Sequence, residues 1–452
     1  MLAWGALAFG ATYPWGYWPL AAASVALGVT GLRATTAWRS HPLRAVAVSL
    51  VGVAAAIALQ IIPVPYATFT AISPAGHALL SGLSLGYAQS VPSWHTLSIY
   101  PAMTIETLAR FIAWAVLLVG LASALDRWRP EGIVKGLVAL GVVMAIVGVI
   151  QKAVTGAEPV IYGFWKPTYG GSPFGPFYNR NHFAGWMVMA VPVSLGYACW
   201  LIESAGRGRR RGRAGWVRWA SSPDASRFML VALSVLAMAA SLVITGSRSG
   251  IGAFGLAMAV FGVVVARRLG RTGRRLALVG LATLFAGAII WAGTTRTIER
   301  FALVAADLPG RFSAWRDTLR IIGDFPWFGT GLGTYGQAML LYQTGERHFI
   351  YMQTHNDYLQ IAAEGGLLVG VPVVIATMML VRGIVRRLRE NDADALTVWL
   401  RAGAVAGLAG IASQSLFEYS VQRPGVALLF VVLLALALHR SSRRSGDHAH
   451  RV

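Results

Sequence analysis

A succession of long apolar runs, each closed by a short polar segment, constrains this chain more than any other feature. A helix crossing the hydrocarbon core of a bilayer needs about 17 to 25 residues, and its backbone groups must be satisfied within the segment itself. Such runs fall near residues 1–12, 15–32, 44–62, 104–125, 133–151, 183–202, 228–245, 250–266, 276–293, 366–381, 398–413 and 424–438. The expected fold class is therefore all-α, a polytopic membrane bundle of about twelve helices. The composition agrees, with 56% hydrophobic and only 13% charged residues and a mean hydropathy of +0.58. The first run is the exception. It stops at Tyr13 and Pro14, too short to span, so either that helix is tilted out of register or the start lies upstream.

The connections between runs alternate in character. One set is basic and plain: 33–44, 126–132, 203–227 with its RGRRRGR, 267–275, 382–394, and the tail from His439. The other is richer in Pro, Gly, Trp and Tyr: Tyr13 and Pro14, 63–103, 152–182, 246–249, 294–364 and 414–423. Short basic connections face the cytoplasm, so both termini are expected inside and the long 294–364 segment outside. This also accounts for the net charge of +21 without a nucleic-acid partner; the basic loop at 207–213 faces solvent or lipid headgroups. Tyr13, Trp15, Tyr17 and Trp18 suit an interfacial aromatic belt. The single cysteine, Cys199, lies in an apolar run, which excludes an intrachain disulfide and a cysteine metal site. The domain reading is one membrane unit: 1–293 with outer loops 63–103 and 152–182, an outer catalytic loop at 294–364 forming a partly helical cap, and 365–452 with the last helices and a basic tail.

Arginines on the outward side run against the charge bias, and four of them have informative contexts. Arg248 sits in ITGSRSGIGAFG, a turn so short that it stays at the membrane boundary, where a charge needs a polar cavity or partner. Arg180 lies in GPFYNRNHFAGW with Asn179, Asn181 and His182 at the entrance to an apolar run; either asparagine can cap that helix. Arg311 follows Pro309 and Gly310 and is placed at the entrance of a helix covering 312–322. Arg316 lies about 140° further round such a helix, so one arginine is expected to meet a ligand, with Arg311 preferred, and the other to pair with Asp317 or Asp324. Thr354, His355, Asn356 and Asp357 match a capping box, which puts His355 at the first helical position among arginines, placed to act as a base. Glu364, before Gly365 and Gly366, reads as a helix end or hinge. Arginine forks suit phosphate oxygens, and no metal-ligand spacing, P-loop, dinucleotide fingerprint or nucleophile elbow is present. Together these residues point to the handling of a lipid-linked pyrophosphate, with no cofactor.

From about Phe177 to Leu438 the chain resembles the O-antigen ligase and Wzy-type polymerase superfamily. NRNHFAG, TGSRSG, GRFSAWRDTL, FPWFGTGLGTYGQ and THNDYLQIAAEGG occur in that family's order. The resemblance implies a membrane glycosyltransferase of GT-C-like architecture in the bacterial inner membrane. It further implies a metal-independent, inverting transfer on the periplasmic face, from an undecaprenyl-pyrophosphate-linked oligosaccharide. Carried over by motif, Arg248 and Arg311 would hold the pyrophosphate and His355 would activate or orient the acceptor hydroxyl. Arg180 and Arg316 follow as second-rank substrate contacts, with Asn181, His182, Asn356 and Asp357 beside them. The implied acceptor is lipid A core for a ligase, the growing glycan for a polymerase, or a protein hydroxyl. Membrane lipids are the surrounding partners. A lipid-linked oligosaccharide flippase is the competing class, but it calls for ionisable residues inside the spans, whereas here they gather at one face.

Overall fold

The computed structural model describes residues 1–89, 93–128, 130–155, 158–167, 171–206, 219–266, 304–345, 348, 350–390 and 393–440. Among them, seven helices are long and apolar enough to cross a membrane. These are α7 (Pro101–Trp128), α8 (Pro130–Thr155), α9 (Arg180–Gly206), α10 (Pro223–Ile244), α11 (Arg248–Ala266), α14 (Asp357–Leu388) and α15 (Ala395–Gln414). Two shorter apolar helices, α3 (Leu43–Leu59) and α16 (Pro424–Leu438), join them, as does the 21-residue α2 (Pro14–Ala34). The expected runs from 104 to 266 and from 366 to 438 thus fall on helices. The run at 276–293, the basic loop 207–213 and residues 294–303 lie outside the described residues.

The first expected span is not one helix. Only α1 (Leu2–Leu7) is α-helical, followed by a 3-10 turn at Phe9–Ala11 in which Gly10 takes φ +66. The chain turns there because Phe9 packs edge-on or tilted against Tyr13, Trp15, Tyr162 and Trp165.

The bundle core centres on α9, α15 and α16. Every residue of α16 but the half-buried Phe430 is buried, as expected of a helix that is apolar all round. Close approach of α9 and α15 depends on small residues: a Cβ on Gly403 would collide with the Pro192 carbonyl, and one on Gly196 with the Trp399 carbonyl. Lipid tails are as apolar as leucine, so such backbone contact rather than hydrophobic burial holds helices together in a membrane.

A second, smaller core lies apart from the first. It joins two segments far apart in sequence. Phe69, Leu79, Leu80, Leu97 and Ile99 come from residues 63–103, and Ile321, Phe325, Tyr335, Ala338, Met339 and Ala363 from 304–364. In the first segment lie α4 (Tyr66–Ile72), α5 (Pro74–Leu83), α6 (Leu85–Gln89) and an antiparallel pair, β1 (Val64–Pro65) with β2 (Trp94–His95). In the second lie α12 (Val304–Asp324) and α13 (Tyr335–Tyr342).

Two buried polar side chains tie this layer to the bundle. Gln60, at the end of α3, donates through Nε2 to the carbonyls of Phe328 (2.7 Å) and Glu364 (2.8 Å), and its Oε1 accepts from Leu332 N (3.1 Å). Glu364 accepts from the backbone N–H groups of Gly333 and Tyr335, both at 2.9 Å, and from Gln360 at 3.2 Å. The expected hinge is present two residues on, where Gly366 (φ 54, ψ −157) breaks α14. That conformation is costly for any residue with a Cβ.

Candidate active site

The local structure around His355 differs from the expected capping box. α14 begins at Asp357, and its N-cap is Asn356, whose Oδ1 accepts from the N–H groups of Tyr358 (3.0 Å) and Leu359 (3.1 Å). The Thr354 hydroxyl instead donates to the Asn356 carbonyl and accepts from Asn356 N. This leaves His355 outside the helix at φ 53, a left-handed conformation uncommon for a residue with a Cβ. The turn is held by its surroundings: Trp315 Nε1 donates to the Thr354 carbonyl at 2.9 Å, and Asp357 N donates to the Ser415 carbonyl at 2.9 Å.

Arg311 also sits differently from expectation. α12 starts upstream at Val304, so Arg311 lies within the helix rather than at its entrance. Its two terminal nitrogens donate to the Phe417 carbonyl (2.9 Å) and to Glu418 Oε1 (2.7 Å).

Glu418 is the centre of the arrangement. Its carboxylate is fully buried, and Arg311 and His355 beside it keep 29% and 25% of their side-chain surface open. Oε1 accepts from Arg311 and from Asn181 Nδ2 (2.6 Å), while Oε2 faces His355 Nδ1 at 3.3 Å. Three motifs far apart in sequence, around Asn181, Arg311 and His355, thereby meet on one oxygen pair. A carboxylate on Nδ1 fixes the proton there and leaves the Nε2 lone pair to accept another. Arg311 keeps N–H donors beyond the two it has committed, on a partly open side chain.

Tyr419 and Arg423 extend the cluster. The Tyr419 ring meets His355 edge-on at 4.9 Å and His182 at 4.8 Å. The Arg423 guanidinium lies over the rings of Tyr419 and Tyr178. Burial pushes the Tyr178 phenol well up from its ordinary range, so its hydroxyl stays protonated between Tyr419 Oη and His182 Nε2, both at 3.2 Å. His182 is completely buried, with Nδ1 on Ser420 Oγ at 3.2 Å, and so shapes the floor beneath the open groups.

The other expected residues are distributed around this centre. Asp357 is buried, its Oδ1 accepting from Gln422 Nε2 at 2.7 Å. Arg316 points away from Glu418, donating to Thr344 Oγ1 at 3.2 Å. Asp317, its expected partner, instead accepts from Thr344 N and Oγ1 and pairs with Arg320. Asp324 accepts from Tyr342 Oη. Arg248 is exposed as the first residue of α11, after Ser247, whose Oγ accepts from Gly250 N. A Cβ on Gly250 would touch Ala184 of α9, which puts Arg248 at the end of the bundle that carries Arg180, Asn181 and His182.

The comparison with known families bears directly on this geometry. Residues 233–374 match the family Wzy_C, described as O-antigen ligase. That segment is similar to the O-antigen ligase family. The match includes Arg248, Arg311, Arg316, His355, Asn356 and Asp357, and it supports the ligase and Wzy-type polymerase superfamily recognised from the motifs. Members of this family are membrane glycosyltransferases, and the apolar helices fit a multi-pass membrane protein. No curated protein matches the chain significantly. Asn181 and Glu418 fall outside the matched residues, yet they meet Arg311 and His355, which lie within them.

Sequence reasoning missed Glu418. The available signal was an acid in the 414–423 connection, on the side assigned to the unexplained arginines, in a chain with 18 acidic against 39 basic residues.

Proposed function

We propose that this protein is an inverting, metal-independent glycosyltransferase of the O-antigen ligase type. It moves a glycan from undecaprenyl pyrophosphate to a hydroxyl of lipid A core at the outer, periplasmic face of the bacterial inner membrane. The observation that carries this reading is the convergence of Asn181, Arg311 and His355 on the buried Glu418 carboxylate.

In this mechanism Glu418 holds His355 with its Nδ1 proton inward. Nε2 takes the proton from the acceptor hydroxyl as that oxygen attacks the anomeric carbon of the first sugar. The bond from that carbon to the pyrophosphate oxygen breaks on the opposite face, so the anomeric centre inverts. Negative charge gathers on the departing pyrophosphate, where the remaining Arg311 donors and Arg248 receive it; donors held in place before the reaction stabilise the transition state most. Arg180 and Arg316 contact the substrate further from the reacting bond. The layer built from 63–103 and 304–364 serves as the outer cap of the site.

The test is transfer by purified protein from undecaprenyl-pyrophosphate oligosaccharide in the presence of a chelator, following released lipid pyrophosphate and glycan size. Wild type should transfer to added lipid A core, and His355→Ala and Arg248→Ala should each lose at least about a hundredfold in rate. Longer glycans without added acceptor would instead identify a polymerase. A wild type that turns over, matched by both variants, would remove these residues from the chemistry. A wild type that moves intact lipid-linked glycan across vesicles and transfers nothing would replace the enzyme with a flippase.

A further inference from the structure

Arg423 stands beside the reacting groups, and the transfer mechanism leaves it without a task. Its guanidinium lies over the Tyr419 ring at 4.6 Å and over the Tyr178 ring at 5.4 Å. The His355 ring meets that same Tyr419 ring at 4.9 Å. Arg423 and His355 therefore share one aromatic ring, as Arg311 and His355 share the Glu418 carboxylate.

The local sequence SVQRPG holds Arg423 in place. Ser420–Gln422 forms a 3-10 turn, and the Ser420 carbonyl accepts from Arg423 N at 3.1 Å. Pro424 and Gly425 then open α16, and the Arg423 carbonyl accepts from Val426 N (2.9 Å) and Ala427 N (2.8 Å). Gly425 packs so closely on α1 that a Cβ there would collide with the Gly5 carbonyl. The two rings are held as well, since Tyr178 Oη is hydrogen-bonded to Tyr419 Oη and to His182 Nε2, both at 3.2 Å.

What this placement lacks is an acceptor. Among the described residues, no carboxylate, hydroxyl or carbonyl accepts from the Arg423 guanidinium; its contacts are the two ring faces, and its Nε is buried without a hydrogen-bond partner. The neighbouring carboxylates are engaged elsewhere, Glu418 with Arg311, Asn181 and His355, and Asp357 Oδ1 with Gln422. A ring face attracts a cation without accepting an in-plane N–H or cancelling the charge. Arg423 is also the N-cap residue of α16, the helix end that disfavours a cation. A half-buried guanidinium so placed fits an anion, and its fork matches phosphate oxygens. A diphosphate carries two phosphoryl groups, and Arg311, whose terminal nitrogens already donate to Phe417 and Glu418, has donors left that suit one. We propose that Arg423 binds the second phosphoryl group of a lipid-linked diphosphate, on the Tyr419 side of His355. The role of that diphosphate as a leaving group rests on the transferase reading; its binding does not depend on turnover.

The test is equilibrium binding to the full-length protein in detergent, with farnesyl diphosphate, farnesyl monophosphate and phosphatidylglycerol as probes. The wild type should bind the diphosphate about tenfold more tightly than the monophosphate, the ratio expected from one charge-assisted contact. Arg423→Gln should bring the two to within about twofold and leave phosphatidylglycerol unaffected. Arg320→Gln, which removes an exposed charge from α12, should keep the wild-type ratio. Arg423→Lys keeps a cation over the rings but loses the fork, so its ratio should fall between the two. A wild type without the preference, or a ratio unchanged in Arg423→Gln, would overturn the proposal; where that variant does not fold, an unchanged ratio in Arg423→Lys would do so. An equal loss for all three probes would make Arg423 a structural staple, and a loss confined to phosphatidylglycerol would make it a headgroup contact, and either overturns the proposal. An Arg423-dependent preference in a protein that transfers nothing would uphold the contact and refute the transferase instead.

Discussion

The isosteric change Glu418→Gln should abolish transfer while leaving the protein folded. The carboxylate presents Oε1 to Arg311 and Asn181 and Oε2 to His355. A glutamine has one oxygen and one amide nitrogen, and the two shorter contacts, at 2.7 and 2.6 Å, claim the oxygen. The amide nitrogen then faces His355 Nδ1 and donates to it, so the ring proton moves to Nε2, the nitrogen that must accept the acceptor's proton. An enzyme whose histidine is forced into the wrong tautomer in this way loses roughly 10⁴ in kcat, and a general base by itself contributes roughly 10² to 10⁴. The expected loss is therefore about 10³ to 10⁴ in kcat, with donor KM changed much less. Replacing a charged acceptor by a neutral one costs stability on the order of 1 kcal/mol, so the thermal midpoint in detergent should fall by no more than about 4 °C. Glu418→Ala should be worse on both counts. It strands three donors, and breaking a buried pair costs about 3 to 5 kcal/mol, nearer the lower figure because Arg311 can turn to water. A folded Glu418→Gln protein that transfers within a few-fold of wild type would refute the tautomer argument.

The link between the two layers and the ends of the bundle can be tested separately. Gln60→Leu removes three hydrogen bonds to the 328–364 region at about 1 kcal/mol each or more; hydrogen exchange across 325–345 should accelerate at least tenfold, and unchanged protection would show that Gln60 does not anchor the layer. Gly366→Ala places a Cβ 2.5 Å from Gly329 N and 2.8 Å from Phe328 N, at positive φ. It should cost on the order of 1 to 3 kcal/mol, read as a lowered thermal midpoint, whereas Gly370→Ala in the same helix, where a Cβ meets nothing within 4 Å, should not. At the far end of the bundle, burial pushes His439 down to about 4, against an unfolded value of about 6.5. The neutral ring belongs to the folded state, so its contribution is complete above about pH 6.5 and is lost as pH falls toward about 4, by at most roughly 3 kcal/mol. His439→Asn should flatten the difference in thermal midpoint between pH 7 and pH 4.5, and an unaltered slope would assign that slope to other groups.

What could be read from the sequence followed from chemistry that is local in sequence. Arg311 stood out as an outward arginine against the charge bias, His355 by the cap pattern around it, and Asn181 as a polar residue at the entrance to an apolar run. The helices from Pro101 to Ala266 were legible because period and length alone decide them. Where two local signals competed, the outcome depended on contacts far away. Thr354 and Asn356 are both good caps, and Asn356 wins because Trp315 and Ser415 fix the chain on either side of it. Residues 63–103 gave no signal because their apolar side chains are too few for a core of their own; Phe69, Leu79 and Leu80 acquire meaning only against Ile321 and Phe325.

Three buried acids, Glu364, Asp357 and Glu418, show how the polar layer can hold His355 steady beside the apolar bundle. Glu364 accepts from backbone N–H groups at Gly333 and Tyr335, so it fixes the glycine-rich turn between α12 and α13. Gln360 carries that constraint on, donating to Glu364 Oε1 and to Gln422 Oε1, and Gln422 in turn donates to Asp357. Asp357 follows the Asn356 cap and lies two residues from His355, whose ring ends on Glu418. The break at Gly366 lies between this chain of bonds and the rest of α14. A continuous helix would transmit every tilt of the membrane span to His355. With the break in place, the polar segment takes its orientation from Gln60 and Glu364, and the span beyond Gly366 can follow the lipid without moving the ring.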